Sequence, residues 1–173
     1  MIAARLLLAA LSVGLAFTPG LAVAQVSEAA VKAAYLPKIA RYVDWPAGTL
    51  RAREPLQICI VGSDPFGRLI DEAVAGQSMG DHAMVVRRAG GLDGCHVAFL
   101  RGSAAPRALA MLKDRPVLTV TDSRDGSTRG MIHFGLAGGR VSFHIDDIQA
   151  ARVGLSISAR LLAIALSVRS RSQ

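Results

Sequence analysis

The side chains able to do chemistry in this chain are few and scattered. Four histidines stand at His82, His96, His133 and His144, two cysteines at Cys59 and Cys95, and a carboxylate pair at Asp146-Asp147. His133 and His144 fall on two apolar runs that read as a hairpin, where they become cross-strand neighbours. With Asp146 they could form a metal cluster, but no H-E-x-x-H or comparable spacing supports one, and strand histidines with polar partners are the preferred reading. His96 follows Cys95 directly, so in a strand the two point to opposite faces and do not form a Cys–His catalytic pair. Serine nucleophiles lack a G-x-S-x-G elbow. Asp122 and Asp125 share a loop whose spacing does not match a calcium loop. Asp146 and Asp147 diverge as adjacent residues, and Asp at a helix entry ordinarily caps it.

Gly62-Ser-Asp-Pro-Phe-Gly67 has the position of a phosphate-binding turn, after a strand and before a helix. It lacks G-x-G-x-x-G and the Gly-Lys-Ser/Thr of a nucleotide loop. Asp64 as N-cap with Pro65 in the first turn is the structural alternative. No set of groups stands behind an enzymatic reading, and a hydrolase would need a constellation that the sequence does not display.

The elements that position these residues follow from periodicity. Residues 1–24 read as a cleaved signal peptide, with Arg5, the apolar run Leu6–Phe17 and the Ala22-Val23-Ala24 box; an uncleaved anchor is the alternative. Residues 25–173 then form one exported domain of ordinary size. Val31–Pro46 is the leading amphipathic run. Val31, Tyr35, Ile39 and Val43 line one helical face, with Lys32, Lys38 and Arg41 off it. Pro37 is expected to kink or interrupt this helix and Pro46 to end it. Leu56–Val61, Met84–Arg88, Cys95–Leu100 and Val117–Val120 read as strands, several of them buried on both faces. Leu69–Val74, Pro106–Lys113 (capped by Ser103) and Ile148–Arg152 read as helices. Met131–Leu136 and Arg140–Ile145 form the hairpin around Ala137-Gly138-Gly139. Ser158–Val168 reads as a final amphipathic helix. The sum is a single-domain α/β fold: a mostly parallel, mixed sheet flanked by helices, with a late antiparallel hairpin.

The formal net charge is +7, in scattered pairs such as Arg87/Arg88 and Arg169/Arg171. An exported chain does not meet nucleic acid, so the excess is a solvated surface or faces an acidic partner or lipid headgroups. Two cysteines in an exported chain argue for a disulfide, with two buried thiols as the alternative. C-x-x-C is absent, and thioredoxin-type redox chemistry with it. No cofactor is implied.

The order of motifs carries a resemblance. It runs Arg41-Tyr42-Val43-Asp44-Trp45-Pro46, Ile58-Cys59-Ile60-Val61-Gly62, Asp64-Pro65-Phe66-Gly67, Cys95-His96-Val97-Ala98-Phe99, Val117-Leu118-Thr119-Val120, Val141-Ser142-Phe143 and Gly154-Leu155-Ser156-Ile157-Ser158. This resembles the YfiR family of exported regulators over nearly the whole mature chain. The resemblance implies a periplasmic α/β protein, often dimeric. It implies repression of a membrane-bound diguanylate cyclase through its periplasmic sensor domain, relieved when an outer-membrane lipoprotein sequesters the repressor. The output is the cyclic di-GMP level and hence biofilm formation. It also implies a Cys59–Cys95 disulfide. The chain departs from the pattern at Asp146, where Asn is common, and in the single Gly before Met131. A second cysteine pair of some members is absent. Arg41 and Trp45 belong to the N-terminal motif and are the expected partner contacts, since Arg and Trp are favoured at interface hot spots. The other function considered is a periplasmic small-ligand binder feeding a sensor or transporter, with its site at the Gly62–Gly67 turn.

Overall fold

A computed structural model describes residues 27–88 and 90–171. The signal-peptide expectation for residues 1–24 lies outside the described residues. The chain opens with α1 (Glu28–Ala40) and β1 (Val43–Asp44), followed by β2 (Leu56–Val61), α2 (Arg68–Val74), β3 (Ser78–Met79) and β4 (His82–Arg88). Then come β5 (Val97–Leu100), α3 (Ala105–Leu112), β6 (Leu118–Asp122), β7 (Ile132–Ala137) and β8 (Arg140–Asp146). The chain closes with α4 (Asp147–Arg152), β9 (Ser156–Ile157), α5 (Ala159–Ala163) and β10 (Ser167–Arg169).

Eight strands form one sheet in the order β10-β8-β7-β6-β5-β2-β4-β3, and β1 and β9 form a separate two-stranded ribbon. The run β4-β2-β5-β6-β7 is parallel throughout. The central members are covered on both faces, every residue of β5 and β6 being buried, whereas β4 toward the edge buries only Met84. The order turns back at β2, which has β4 on one side and β5 on the other, as in a doubly wound fold. β7 and β8 close the sheet as an antiparallel hairpin with Ile132 opposite Ile145 and Ala137 opposite Arg140. Gly138 and Gly139 make its two-residue turn, both at positive φ (54° and 74°), the geometry of a primed hairpin turn. The α/β class and the late hairpin are as the sequence implies.

The larger core lies on the face covered by α1. Leu36, Ile39, Ile58, Phe99, Val120, Ile132 and Phe134 meet there with almost no exposure. The other face packs Ala105, Ala108 and Leu112 of α3 over Cys59, Ala98 and Leu100. Cys59 and Cys95 are bonded across β2 and the entry to β5, with Cα atoms 5.7 Å apart and 36 residues of sequence separation. The guanidinium of Arg87 lies on this bridge, its Nη2 3.4 and 3.3 Å from the two sulfurs. Gly62 closes β2 at φ +89°, and a Cβ there would stand 2.1 Å from the carbonyl oxygen of Arg101. Only glycine permits this approach of the two loops.

Five local expectations are corrected. Pro37 does not break α1; it sits inside the helix, buried with Leu36, Ile39 and Ala40. Its proline penalty of about 3 kcal/mol is offset by side-chain burial worth on the order of 1.5–3 kcal/mol each. The buried face of α1 is also rotated from the four-residue stripe: Val31 and Tyr35 lie at its edge, and Lys32 lies inside. Asp64 does not cap α2. Its Oδ1 accepts from the backbone N–H of Phe66 (2.8 Å) and Gly67 (3.2 Å), and Gly67 takes the cap position. Ser103 falls in a 3-10 turn, Gly102–Ala104, and α3 begins without a side-chain cap. The last helix stops at Ala163, and β10 adds in parallel to β8, Val168 opposite Ile145. An open β8 edge offers backbone partners that three residues of amphipathic helix would not replace.

Candidate functional site

The C-terminal ends of the parallel strands carry the densest cluster of charges. Ser27 caps α1, its Oγ accepting from Ala30 N–H at 3.2 Å, and this places Glu28 and Lys32 one turn apart on the helix side facing β6. The Nζ of Lys32 donates to Glu28 Oε1 at 2.5 Å and to Asp122 Oδ2 at 2.6 Å. Asp122 ends β6, and its Oδ1 accepts from Arg124 N–H at 3.1 Å. Arg124 returns to Glu28 with Nε at 3.0 and 3.1 Å from the two carboxylate oxygens, and with Nη2 on Oε2. The guanidinium of Arg124 and the ammonium of Lys32 hold the Glu28 carboxyl down at about 2. A cleft of about 370 Å³ opens beside this cluster, with Phe66 and Pro65 on its wall. The acids and bases of the cluster are one another's partners. The arrangement pins α1 to the end of β6, and each carboxylate oxygen of Asp122 already accepts a hydrogen bond.

The Gly62–Gly67 turn lies at the point where the strand order reverses, the usual ligand crevice of such a sheet. Here one side of the turn is tied down by Arg88. Arg88 Nε pairs with Asp64 Oδ2 at 2.8 Å, and its Nη2 donates to the Gly67 carbonyl at 2.6 Å and to Asp71 at 2.7 Å. These contacts raise the Arg88 pKa and lower that of Asp71.

The histidines separate by role. His133 and His144 are cross-strand partners with ring centroids 6.3 Å apart. His133 Nδ1 lies 2.8 Å from Thr121 Oγ1, and His144 Nδ1 lies 2.6 Å from Ser167 Oγ. Burial, then the charge of Arg129, pushes the His133 pKa down. They border a pocket of about 390 Å³ with Arg129 and Arg169 on its rim. Asp146 also lines it, but its carboxylate is occupied: Oδ1 caps α4 through Gln149 N–H at 3.0 Å, and Oδ2 meets Arg169 at 3.2 Å. Among the described residues no group of three or more His, Cys, Asp or Glu is placed to hold a metal ion. His96 lies on the opposite side from the disulfide. Its Nδ1 accepts from Gln57 N–H at 3.0 Å, which leaves Nε2 to carry the ring proton toward Thr49 O at 3.4 Å, and burial depresses its pKa.

At the far end of α1, Arg41 is exposed and anchored, donating from Nε to Ser78 O at 3.1 Å and from Nη2 to Gln77 Oε1. Trp45 is half-buried against the main core, and its indole N–H is buried without a partner among the described residues. Periodicity gave no signal for Lys32, because a lysine on a helix is ordinarily solvent-facing and its partner Asp122 is remote in sequence.

These features define a class: a doubly wound α/β domain, clamped by one disulfide, whose charges at the end of β6 are internally paired. The chain belongs to the YfiR/HmsC-like family, whose model matches residues 29–166. No curated protein matches the chain. Membership places it in a family of periplasmic regulators of diguanylate cyclases, which act on membrane sensor proteins rather than as enzymes. Among the described residues no helix is long and apolar enough to cross a membrane.

Proposed function

We propose that this chain is a non-catalytic periplasmic regulator that binds the periplasmic sensor domain of an inner-membrane signalling protein. By doing so it represses a diguanylate cyclase and lowers cyclic di-GMP and biofilm formation. The family match over residues 29–166, spanning α1 to the approach of β10, is the observation that carries this reading. The buried disulfide and the signal-like N-terminus fit an oxidising compartment. The contact surface includes the end of α1, where Arg41 and Trp45 lie; the exposure of Arg41 and its anchoring to Ser78 support this. The repressor works as a homodimer and is released when an outer-membrane lipoprotein sequesters it. For signal to pass, it binds two conformations of the sensor domain with different affinity. The test is deletion of the gene, with cyclic di-GMP measured in extracts, together with capture of the sensor domain by the purified protein. Unchanged cyclic di-GMP and no captured sensor would overturn it.

The second reading, a periplasmic small-ligand binder, draws support from the His133–His144 pocket rather than from the Gly62–Gly67 turn. Two histidines, two arginines and a serine around about 390 Å³ suit a small anion. A rise in melting temperature with a panel of small carboxylates would favour it.

A further inference from the structure

A groove of about 610 Å³ runs between the first turns of α1 and the β7–β8 hairpin. Its floor is apolar. Val31 and Tyr35 come from the helix, and Leu136 and Val141 are directly opposed on the two strands. Tyr35 is held rigidly, its ring centroid 6.2 Å from that of Phe134 and 5.8 Å from that of Phe143, in tilted and edge-on geometry. Phe134 and Phe143 are buried beside this ring, and the next pair on the same face is Leu136 with Val141. Leu136 is left 48% exposed on the face that buries Ile132 and Phe134. The rim is cationic. Arg124 stands on one side, fixed by its pair with Glu28, and Arg140 stands on the other at the end of β8. Arg140 and the Tyr35 hydroxyl have no hydrogen-bond or ionic partner among the described residues. The bare Gly138-Gly139 turn leaves the groove open at the hairpin end.

The geometry points to this groove as the docking site for an acidic amphipathic segment of the partner's periplasmic domain, a reading that rests on the regulatory function proposed above. An apolar side chain of that segment fills the space between Tyr35 and Leu136. A carboxylate a few residues away pairs with Arg140, which presents two N–H groups in the fork that suits a carboxylate, and lies within the field of Arg124. The rim holds one unpaired guanidinium beside a carboxylate, which suits a singly charged group. A second copy of this chain, itself at +7, carries the wrong sign of charge to fill it.

The test installs the photo-crosslinking residue p-benzoylphenylalanine at Leu136 in the full chain in cells, with Met111, 58% exposed on α3, as the control position. The expected product is an adduct from Leu136, and not from Met111, to a peptide of a periplasmic domain bearing Asp or Glu near the attachment point. Arg140→Glu should cut its yield at least tenfold, and replacing that carboxylate of the partner by Lys should restore it in the Arg140→Glu background. An adduct to a second copy or to lipid, no adduct, or an adduct indifferent to Arg140→Glu overturns the proposal. Cyclic di-GMP in the same strains separates this failure from failure of the regulatory reading. If the Leu136→Asp/Arg140→Glu double variant represses as well as the parent while deletion derepresses, the groove is wrong and the regulator stands. If deletion changes nothing, the regulator falls, and the charge-swapped crosslink still decides the groove.

Discussion

The Nζ of Lys32 lies 2.6 Å from Oδ2 of Asp122, 90 residues further along the chain, and each side chain is only 3% exposed. A buried lysine needs its countercharge, and removal of one member leaves the other desolvated. Asp122→Ala is expected to cost about 2–3 kcal/mol, below the usual 3–5 kcal/mol for an orphaned buried charge because Glu28 still neutralises the ammonium. The double change Lys32→Met/Asp122→Leu should be milder than Asp122→Ala alone. Urea denaturation of the three proteins checks the order.

Glu28 supplies a pH signature. Its carboxyl is depressed in the folded state to about 2 from an ordinary 4.5, first by Arg124 and then by Lys32. A depressed carboxyl stabilises the fold above its unfolded value, and that contribution is lost as pH falls from 4.5 towards 2. With solvent screening the term is about 1 kcal/mol. Glu28→Gln should flatten the acid limb of a stability–pH curve in that window and leave the curve above pH 5 parallel to the parent's.

His96 and His133 act at higher pH. Burial lowers both pKa values, so the unfolded chain takes up protons that the folded one resists. Stability is fully present above the ordinary histidine value of 6.5 and falls as pH drops below it. His133→Gln, which keeps a hydrogen-bonding group beside Thr121, should weaken that slope between pH 6.5 and 5. Chemical denaturation at half-unit pH steps reads it.

Trp45 separates packing from contact. Trp45→Ala should cost about 3 kcal/mol, since the ring packs on the main core. Trp45→Phe should fall within about 1 kcal/mol of the parent, because it removes a buried N–H that has no partner. Arg41→Ala should leave stability nearly unchanged and act on partner binding. Circular dichroism melts paired with a binding assay distinguish the three.

The disulfide closes a loop across two neighbouring strands. Replacing Cys59 and Cys95 together by Ala should lower stability by about 3–4 kcal/mol, and the midpoint of urea denaturation of the variant should no longer respond to reductant.

The sequence pattern exposed what depends on neighbours along the chain. Leu56–Val61 appears as a strand over the same residues because an apolar run between Pro55 and Gly62 has few alternatives. The hairpin is legible from Gly138-Gly139, and Asp146 as the cap of α4 is legible from its place at a helix entry. What depends on distant partners was hidden. Nothing near Lys32 announces Asp122. Leu161, Leu162, Ala165 and Val168 keep helical spacing even though Val168 ends up in a strand, because the open edge of β8 decides its conformation. The Tyr35–Leu136 groove needs the hairpin laid beside α1 before it exists.

The placement of β10 has a bearing on how the molecule is assembled. Synthesis and delivery proceed from the N-terminus, so β8 is made and can join the sheet before Ser167–Arg169 emerges. Until then its outer edge is bare, and any other extended chain can compete for it. Ser167–Arg169 therefore act as a stopper that arrives late. A fusion placed directly after Arg169 acts on this step, and a truncation before Ser167 turns the domain into one that recruits strands from its surroundings.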